Sequence, residues 1–357
     1  SDSEKLLFFK FPIILFSLIP FFLITGPLLS DLSISIISLL FITYCFKYKN
    51  FSFFKNYYFY FFLIFWVYLI VNSLINNINI DSLKISIFYI RYGIFVIAIV
   101  TYLKHDSKFL NYFFYFIFFC FIILVFDGFY QYFVGENIIG LKRSFRTSSF
   151  FGEEKILGSY LSRLWPLFFG ISLLVINSKN IFSFSLILIF ILTEVLIFLS
   201  GDRTAFFYIN LSAIFVIIFS KKLFKLRILI LISSIVLLIL ISYINPTAKQ
   251  RVIDQTINQM NLKSLLTSSK DGHKNNPISI NIFTVEHTHH YISAFRMFLD
   301  NKIIGVGVKN FRNFCKEEKY IISKWVNIFL CCIILSLLFF IFSKKRKKDT
   351  SSISKLS

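Results

Sequence analysis

Four short polar stretches interrupt an otherwise apolar chain, and each carries residue types able to hold an anion or move a proton. The first is "SGDRTAFF", residues 200–207, where Gly201, Asp202 and Arg203 separate two apolar runs with almost no loop between them. One reading makes Arg203 a snorkelling charge at a span end, paired with a solvated Asp202. The other makes it an anion site: Gly201 permits close backbone approach, the helix that starts near Thr204 aims free amides outward, and a guanidinium holds phosphate bidentately. The second stretch, "LKRSFRTSSFFGEEKILGSYLSRLWP", sets Lys142, Arg143 and Arg146 in a basic patch. That patch either meets an anionic partner or is neutralised by Glu153 and Glu154. Gly158 and Arg163 follow at the start of an apolar run, Arg163 about two turns into it. An ionisable residue at that depth is expected to face a cavity or a partner.

The third stretch, residues 246–260, has an amphipathic helical pattern through Val252, Ile253, Ile257 and Met260, with Arg251 near its start as an ordinary surface charge. The fourth, "EHTHHYISAFRMFLDNKIIGVGVKNFRNF", is the densest. Tyr291, Phe295, Phe298 and Leu299 form an apolar helical face that includes Arg296 within its span. Gly305 and Gly307 follow, and Lys309, Asn310 and Arg312 lie just beyond. His287, His289 and His290 do not share one helical face, and no Cys or acid completes a ligand set, so no metal is expected. A single histidine acting as general base suits them better. The GxG lacks the third glycine and the preceding strand of a nucleotide fingerprint.

The elements that position these residues are set by composition. Of 357 residues 57% are hydrophobic and 16% charged, and the mean hydropathy is +0.74, which excludes an ordinary soluble domain. Lys and Arg number 38 against 18 Asp and Glu, a net of +20. In a soluble protein that excess would suggest nucleic acid. Here the basic residues sit in gaps between apolar runs, so they bear on membrane orientation and no nucleic-acid partner is expected. The five cysteines form no CxxC pair, so neither a disulfide framework nor a zinc site is indicated.

A helical span needs about 20 mostly apolar residues. Such runs fall near 6–24, 28–46, 57–75, 84–103, 109–134, 156–176, 181–200, 203–220, 226–244 and 321–342, with an interfacial turn allowed inside 109–134. The expected fold is all-α, a polytopic integral membrane protein of about ten transmembrane helices with one large extracytoplasmic loop. Its parts are residues 1–244 (nine helices), 245–320 (the loop), 321–343 (the last helix) and 344–357 (a basic tail). With alternating spans, Lys47, Lys49, Lys55, Lys104, Lys108, Lys179, Lys221, Lys222, Lys225, Arg227 and the 344–348 "KKRKK" all fall on one side. That side is expected to be cytoplasmic, with both termini. The 135–155 loop, the 199–204 turn and the 245–320 loop then face outward. The spans show few ionisable residues beyond Arg91 and Arg163, which argues against a transporter.

The combination of outward-facing spans, "SGDRTAFF" at a span junction and a large loop ending in "NKIIGVGVKNF" resembles the O-antigen ligase and polymerase superfamily. The resemblance runs from the second span to residue 314. It implies a metal-independent inverting glycosyltransferase without cofactor, in the bacterial inner membrane with its active site periplasmic. Such an enzyme moves a glycan from undecaprenyl-pyrophosphate to lipid A-core, in a ligase, or to a growing glycan, in a polymerase. Arg203 matches the family position that engages the donor's pyrophosphate. Arg143, Arg146, Arg251 and Arg296 are secondary donor-site candidates, with Gly305, Gly307, Lys309 and Asn310 from the GVG motif. The family's "HPHN"-like segment, which carries its expected base, is missing after "GVGVKNF", as if by internal deletion or truncation. His287 and His290 stand as substitute bases, and a non-catalytic degenerate member is the alternative.

Overall fold

A computed structural model describes residues 6–76, 80–106, 108–175, 181–219, 249–250, 254–259 and 285–320, with scattered positions between 228 and 243. The described residues are mostly helical and contain no strand. The expected spans 226–244 and 321–342 lie largely or wholly outside them, as does Arg251. The chain divides into two compact units. One comprises Ser1–Val67 and Ile87–Asp254, the other Tyr68–Ser86 and Gln255–Ser357.

In the first unit a π-helical turn, Leu6–Lys10, leads into α1 (Phe11–Ser17) and α2 (Ile19–Thr25). The expected first span is therefore broken, with a 50° bend between its halves. Pro20 sits in the first turn of α2, where its missing N–H and fixed φ suit a new helix start better than a continuing one. Next come α3 (Pro27–Lys47), α4 (Tyr57–Ile75, shared with the other unit), α5 (Ile80–Phe88, likewise shared) and α6 (Ile90–His105). Then follow α7 (Phe109–Val134), α8 (Leu157–Val175), α9 (Ile181–Ser200) and α10 (Arg203–Phe219). Helix α7 is continuous, without the interfacial turn allowed for it. Among the described residues five helical stretches are long and apolar enough to cross a membrane, six if the bent pair is one span. Residues Ser185–Ser200 and Arg203–Val216 form shorter apolar helices.

The core of this unit lies where α7, α8, α9 and α10 meet, around Phe121, Leu124, Leu161, Phe168, Leu196 and Ala205. A second cluster, Ile13, Ile37, Phe41, Ala98, Tyr102 and Phe109, joins α1, α3, α6 and the start of α7. In lipid such packing is held by dispersion and close fit rather than by exclusion of water. Small residues set how near the helices come: a Cβ placed on Gly93 would fall within 2.2 Å of the Phe62 ring.

Charged groups inside the spans are more numerous than the sequence reading allowed. Arg91 holds Asp31 bidentately, Nη2 to the two carboxylate oxygens at 2.6 and 2.8 Å, and donates to Ser35. Asp127 on α7 and Glu194 on α9 are buried. Arg163, expected to face a cavity or a partner, is exposed. The helical period that places Leu161 and Trp165 inward turns Arg163 out of the bundle.

In the second unit the central element is α12 (Val285–Asp300); the short α11 (Gln255–Gln259) precedes it and α13 (Phe311–Phe314) follows. The face of α12 that packs inward carries Ile292, Ser293 and Met297. Tyr291, Phe298 and Leu299, the apolar face expected from the sequence, are exposed. Both faces of this helix hold apolar residues, so periodicity alone did not choose between them.

Candidate functional site

The 200–203 junction is a helix stop followed at once by a helix start. Ser200 ends α9 and its hydroxyl donates back to the Ile197 carbonyl at 2.7 Å. Gly201 takes φ +72°, a left-handed conformation that turns the chain out of the helix. Asp202 then caps α10: its Oδ1 accepts the Ala205 amide at 3.2 Å, and its carbonyl accepts the Phe206 amide at 3.0 Å. The cap is therefore Asp202 rather than Thr204. Arg203 is the first residue of α10 and is half-buried.

Asp202 is not solvated, contrary to expectation; it is 9% exposed. Its Oδ2 accepts the Ser159 hydroxyl at 3.1 Å. The first turn of α8 presses on it so closely that a Cβ on Gly158 would lie 2.9 Å from the Asp202 Cβ and 3.1 Å from the Ala205 Cβ. Gly158 and Ser159 thus fix the carboxylate, the carboxylate fixes the start of α10, and Arg203 is held by that start.

The basic loop before α8 is built as firmly. Three side chains clasp its backbone. Buried Asp127 accepts the Ile138 amide at 2.9 Å and the Ser149 hydroxyl. Gln131 Oε1 accepts the amides of Ser148 and Ser149 at 2.8 and 2.7 Å, while its Nε2 donates to the Leu141 carbonyl. Asn137 accepts the Leu141 amide and donates to the Ser149 carbonyl. Arg143 is half-spent on structure: Nη1 donates to the Tyr132 carbonyl at 2.7 Å, and its guanidinium lies 4.2 Å from the Tyr132 ring centroid. Arg146 and Lys155 both lie over the Phe145 ring, at 5.7 and 4.1 Å. Among the described residues no ion pair joins Glu153 or Glu154 to these cations. Asp127, Gln131 and Asn137 escaped the sequence reading. Their signal was a polar i, i+4 pair closing an apolar run, Asp127 and Gln131.

In the second unit the GVG segment is docked by its carbonyls. Tyr68 donates to those of Ile303 and Ile304 at 3.2 and 3.1 Å, Asn72 Nδ2 to Ile304, and Ser82 to Val308 at 2.8 Å. Gly307, at φ +90°, has no room for a side chain: a Cβ there would lie 2.8 Å from Asn310 Nδ2 and 3.0 Å from the Asn76 Cβ. Asn310 is buried and donates to the Val306 carbonyl at 3.1 Å. Gly305 takes φ +71°, and Lys309 is exposed at φ +62°. On α12, His287 and His290 are exposed, with the His290 ring 6.1 Å from the Phe311 ring, and Arg296 is half-buried. No three His, Cys, Asp or Glu side chains come together as ligands among the described residues.

Both diagnostic motifs fall in one stretch that known proteins share. Residues 186–330 match the O-Antigen ligase family. Over this region the chain is similar to the O-antigen ligase family, and five of its described helices are long and apolar enough to cross a membrane. The matched region includes Arg203 and its cap, His287, His290, Arg296 and the GVG segment. Asp127, the clasped basic loop and Gly158 precede it. No curated protein and no solved structure matches the chain.

Proposed function

We propose that the chain is an O-antigen ligase-type glycosyltransferase, transferring a glycan from undecaprenyl-pyrophosphate to lipid A-core at the periplasmic face of the inner membrane. The observation that carries this is Arg203, fixed at a helix start by the Asp202 cap within the ligase-family region. Breaking the glycosidic bond loads charge onto the departing pyrophosphate, and a pre-positioned guanidinium stabilises that charge in the transition state more than in the ground state. The fixed cation supplies charge neutralisation, so the transfer is metal-independent. Arg143, Arg146, Arg251 and Arg296 are secondary donor contacts, and Gly305, Gly307, Lys309 and Asn310 complete the substrate-binding set. A histidine of the EHTHH cluster, His287 or His290, takes the proton of the acceptor hydroxyl as it attacks the anomeric carbon from the face opposite the leaving group, which inverts the configuration. Basic gaps between spans support cytoplasmic termini and an outward site.

The test is complementation of a ligase-null Gram-negative strain, read as a ladder of capped lipopolysaccharide on a gel. A ladder with the native chain and none with an equally inserted Arg203→Ala variant is expected. A full ladder from that variant removes Arg203 from the mechanism. Lengthened glycan without capping identifies a polymerase instead.

A further inference from the structure

The loop that follows α7 turns back along that helix instead of leaving it. The Ile138 amide donates to Asp127 Oδ1 at 2.9 Å, and Asp127 lies seven residues before Val134, the last residue of α7. Gln131, three residues before that end, holds the Leu141 carbonyl and the Ser148 and Ser149 amides. Side chains of a helix lean toward its N-terminus, so these groups sit no higher than the residues that hold them. At 1.5 Å per residue, Ile138 has returned roughly 10 Å down the helix.

That level belongs to the membrane. Lys104, His105 and Lys108 stand immediately before α7 and mark the opposite surface. Asp127 is 18 residues past Phe109, the first residue of α7. That is about 27 Å along a hydrocarbon core of about 30 Å, and any tilt of the helix lowers it further. On α7 itself Phe126 and Tyr130 are exposed at the same level, where lipid covers them.

The tip is built for such surroundings. Its amides are paired: those of Asn137, Ile138, Gly140 and Leu141 donate, in turn, to the Leu141 carbonyl, Asp127, the Asn137 carbonyl and Asn137 Oδ1. Irregular backbone at membrane depth is tolerated on that condition. Its large side chains, by contrast, are uncovered. Ile138 and Ile139 are 66% and 65% exposed, side by side on one turn. Charge begins one step back, where an antiparallel bridge joins Glu136 to Lys142, both exposed. Apolar residues at the apex and charged ones at the base are the order that a membrane surface selects.

We propose that residues 138–141 are a membrane-docking tip: Ile138 and Ile139 insert among the phospholipid acyl chains of the leaflet at the C-terminal end of α7, leaving Lys142 at the headgroups. The proposal rests on α7 crossing the membrane and is independent of the glycan-transfer reading. Docked in this way, the tip sets the depth of the basic loop that it opens.

The test uses the full chain in phospholipid nanodiscs, its five native cysteines changed to alanine. The environment-sensitive fluorophore NBD is attached to three variants: Ile139→Cys, Ser144→Cys farther along the loop, and Phe126→Cys on α7. Two quenchers are compared, a nitroxide on the acyl chain and iodide in the water. The label at 139 is expected to respond to the lipid nitroxide as strongly as that at 126. Iodide should quench it roughly tenfold less than the label at 144, because an ion does not enter hydrocarbon. Equal iodide quenching at 139 and 144 puts the tip in water and overturns the proposal. Protection at 139 from both quenchers means that protein, a second copy of the chain included, covers the tip, and overturns it too. Where the cysteine-free chain does not fold, p-benzoylphenylalanine in place of Ile139 or of Phe126 in the otherwise native chain reads the same contact. Irradiation is then expected to give an adduct of phospholipid mass at both positions; an adduct at 126 without one at 139 overturns the proposal.

Discussion

Gly158 and Asp202 are in van der Waals contact across two helices, so close that any side chain at 158 would meet the Asp202 Cβ at 2.9 Å. The contact couples the end of the clasped basic loop, which runs directly into α8, to the cap that starts α10. Asp202 is therefore a structural carboxylate whose task is to fix the neighbouring arginine.

That role predicts a stability effect distinct from catalysis. Asp202→Ala removes both the cap and the Ser159 partner, and should destabilise the chain by about 1–2 kcal/mol. Asp202→Asn keeps an acceptor for the cap and should lose less than half of that. Thermal unfolding in detergent measures both. Equal melting of Asp202→Ala and the native chain would remove the cap from this account.

Arg203→Lys keeps the charge and discards the planar fork. Because a bidentate grip on phosphate depends on that fork, transfer is expected to fall by about 100-fold, with membrane insertion unchanged. Rates with a purified lipid-linked donor decide it. Full activity in the lysine variant would reduce Arg203 to a point charge.

Asp127 governs the basic loop through two donors, the Ile138 amide and the Ser149 hydroxyl. Asp127→Ala strands the buried Ser149 hydroxyl and frees the part-buried Ile138 amide, and should cost about 1–3 kcal/mol of loop stability. Asp127→Asn is expected to restore most of it. Proteolytic nicking within residues 138–149 reads the difference: rapid in alanine, slow in asparagine and native chains. Identical protection in all three would show that the clasp holds without Asp127.

Gly307→Ala places a methyl group 2.8 Å from Asn310 Nδ2 and 3.0 Å from the Asn76 Cβ, at φ +90°. Strain and clash together should cost about 2–4 kcal/mol. Limited proteolysis within residues 301–310 is expected to report the undocking of the loop by faster cleavage than in the native chain. Unchanged cleavage would show that the loop tolerates the methyl.

The arginine-based mechanism makes a solution prediction as well. Transfer should continue in excess EDTA at its original rate. Inhibition that added divalent metal reverses would overturn the account of charge neutralisation.

Several helices were legible because the membrane simplifies their code. Long apolar runs bounded by Lys, Asn, Gly or Asp gave the spans 57–75 and 109–134 to the residue, since lipid leaves a helix as the way to pair every backbone amide within the segment. The family region was legible too, because a left-handed Gly beside a capping Asp and a GVG turn are local necessities that must be written at fixed spacing.

The sequence by itself thus determined a helical membrane scaffold, the helix stop at Gly201, and the position of Arg203 at a span junction, while the capping role of Asp202 came from the structure. Only the tertiary structure decided that Asp202 belongs to Ser159 and Gly158, that Asp127 and Gln131 hold a loop, and that Tyr68, Asn72 and Ser82 hold another. The physical reason is range. Helix caps and spans are fixed by neighbours a few residues away, whereas these contacts join side chains to groups between 10 and 236 positions distant. In a chain where both faces of a helix are apolar, periodicity does not reveal which face meets the partner.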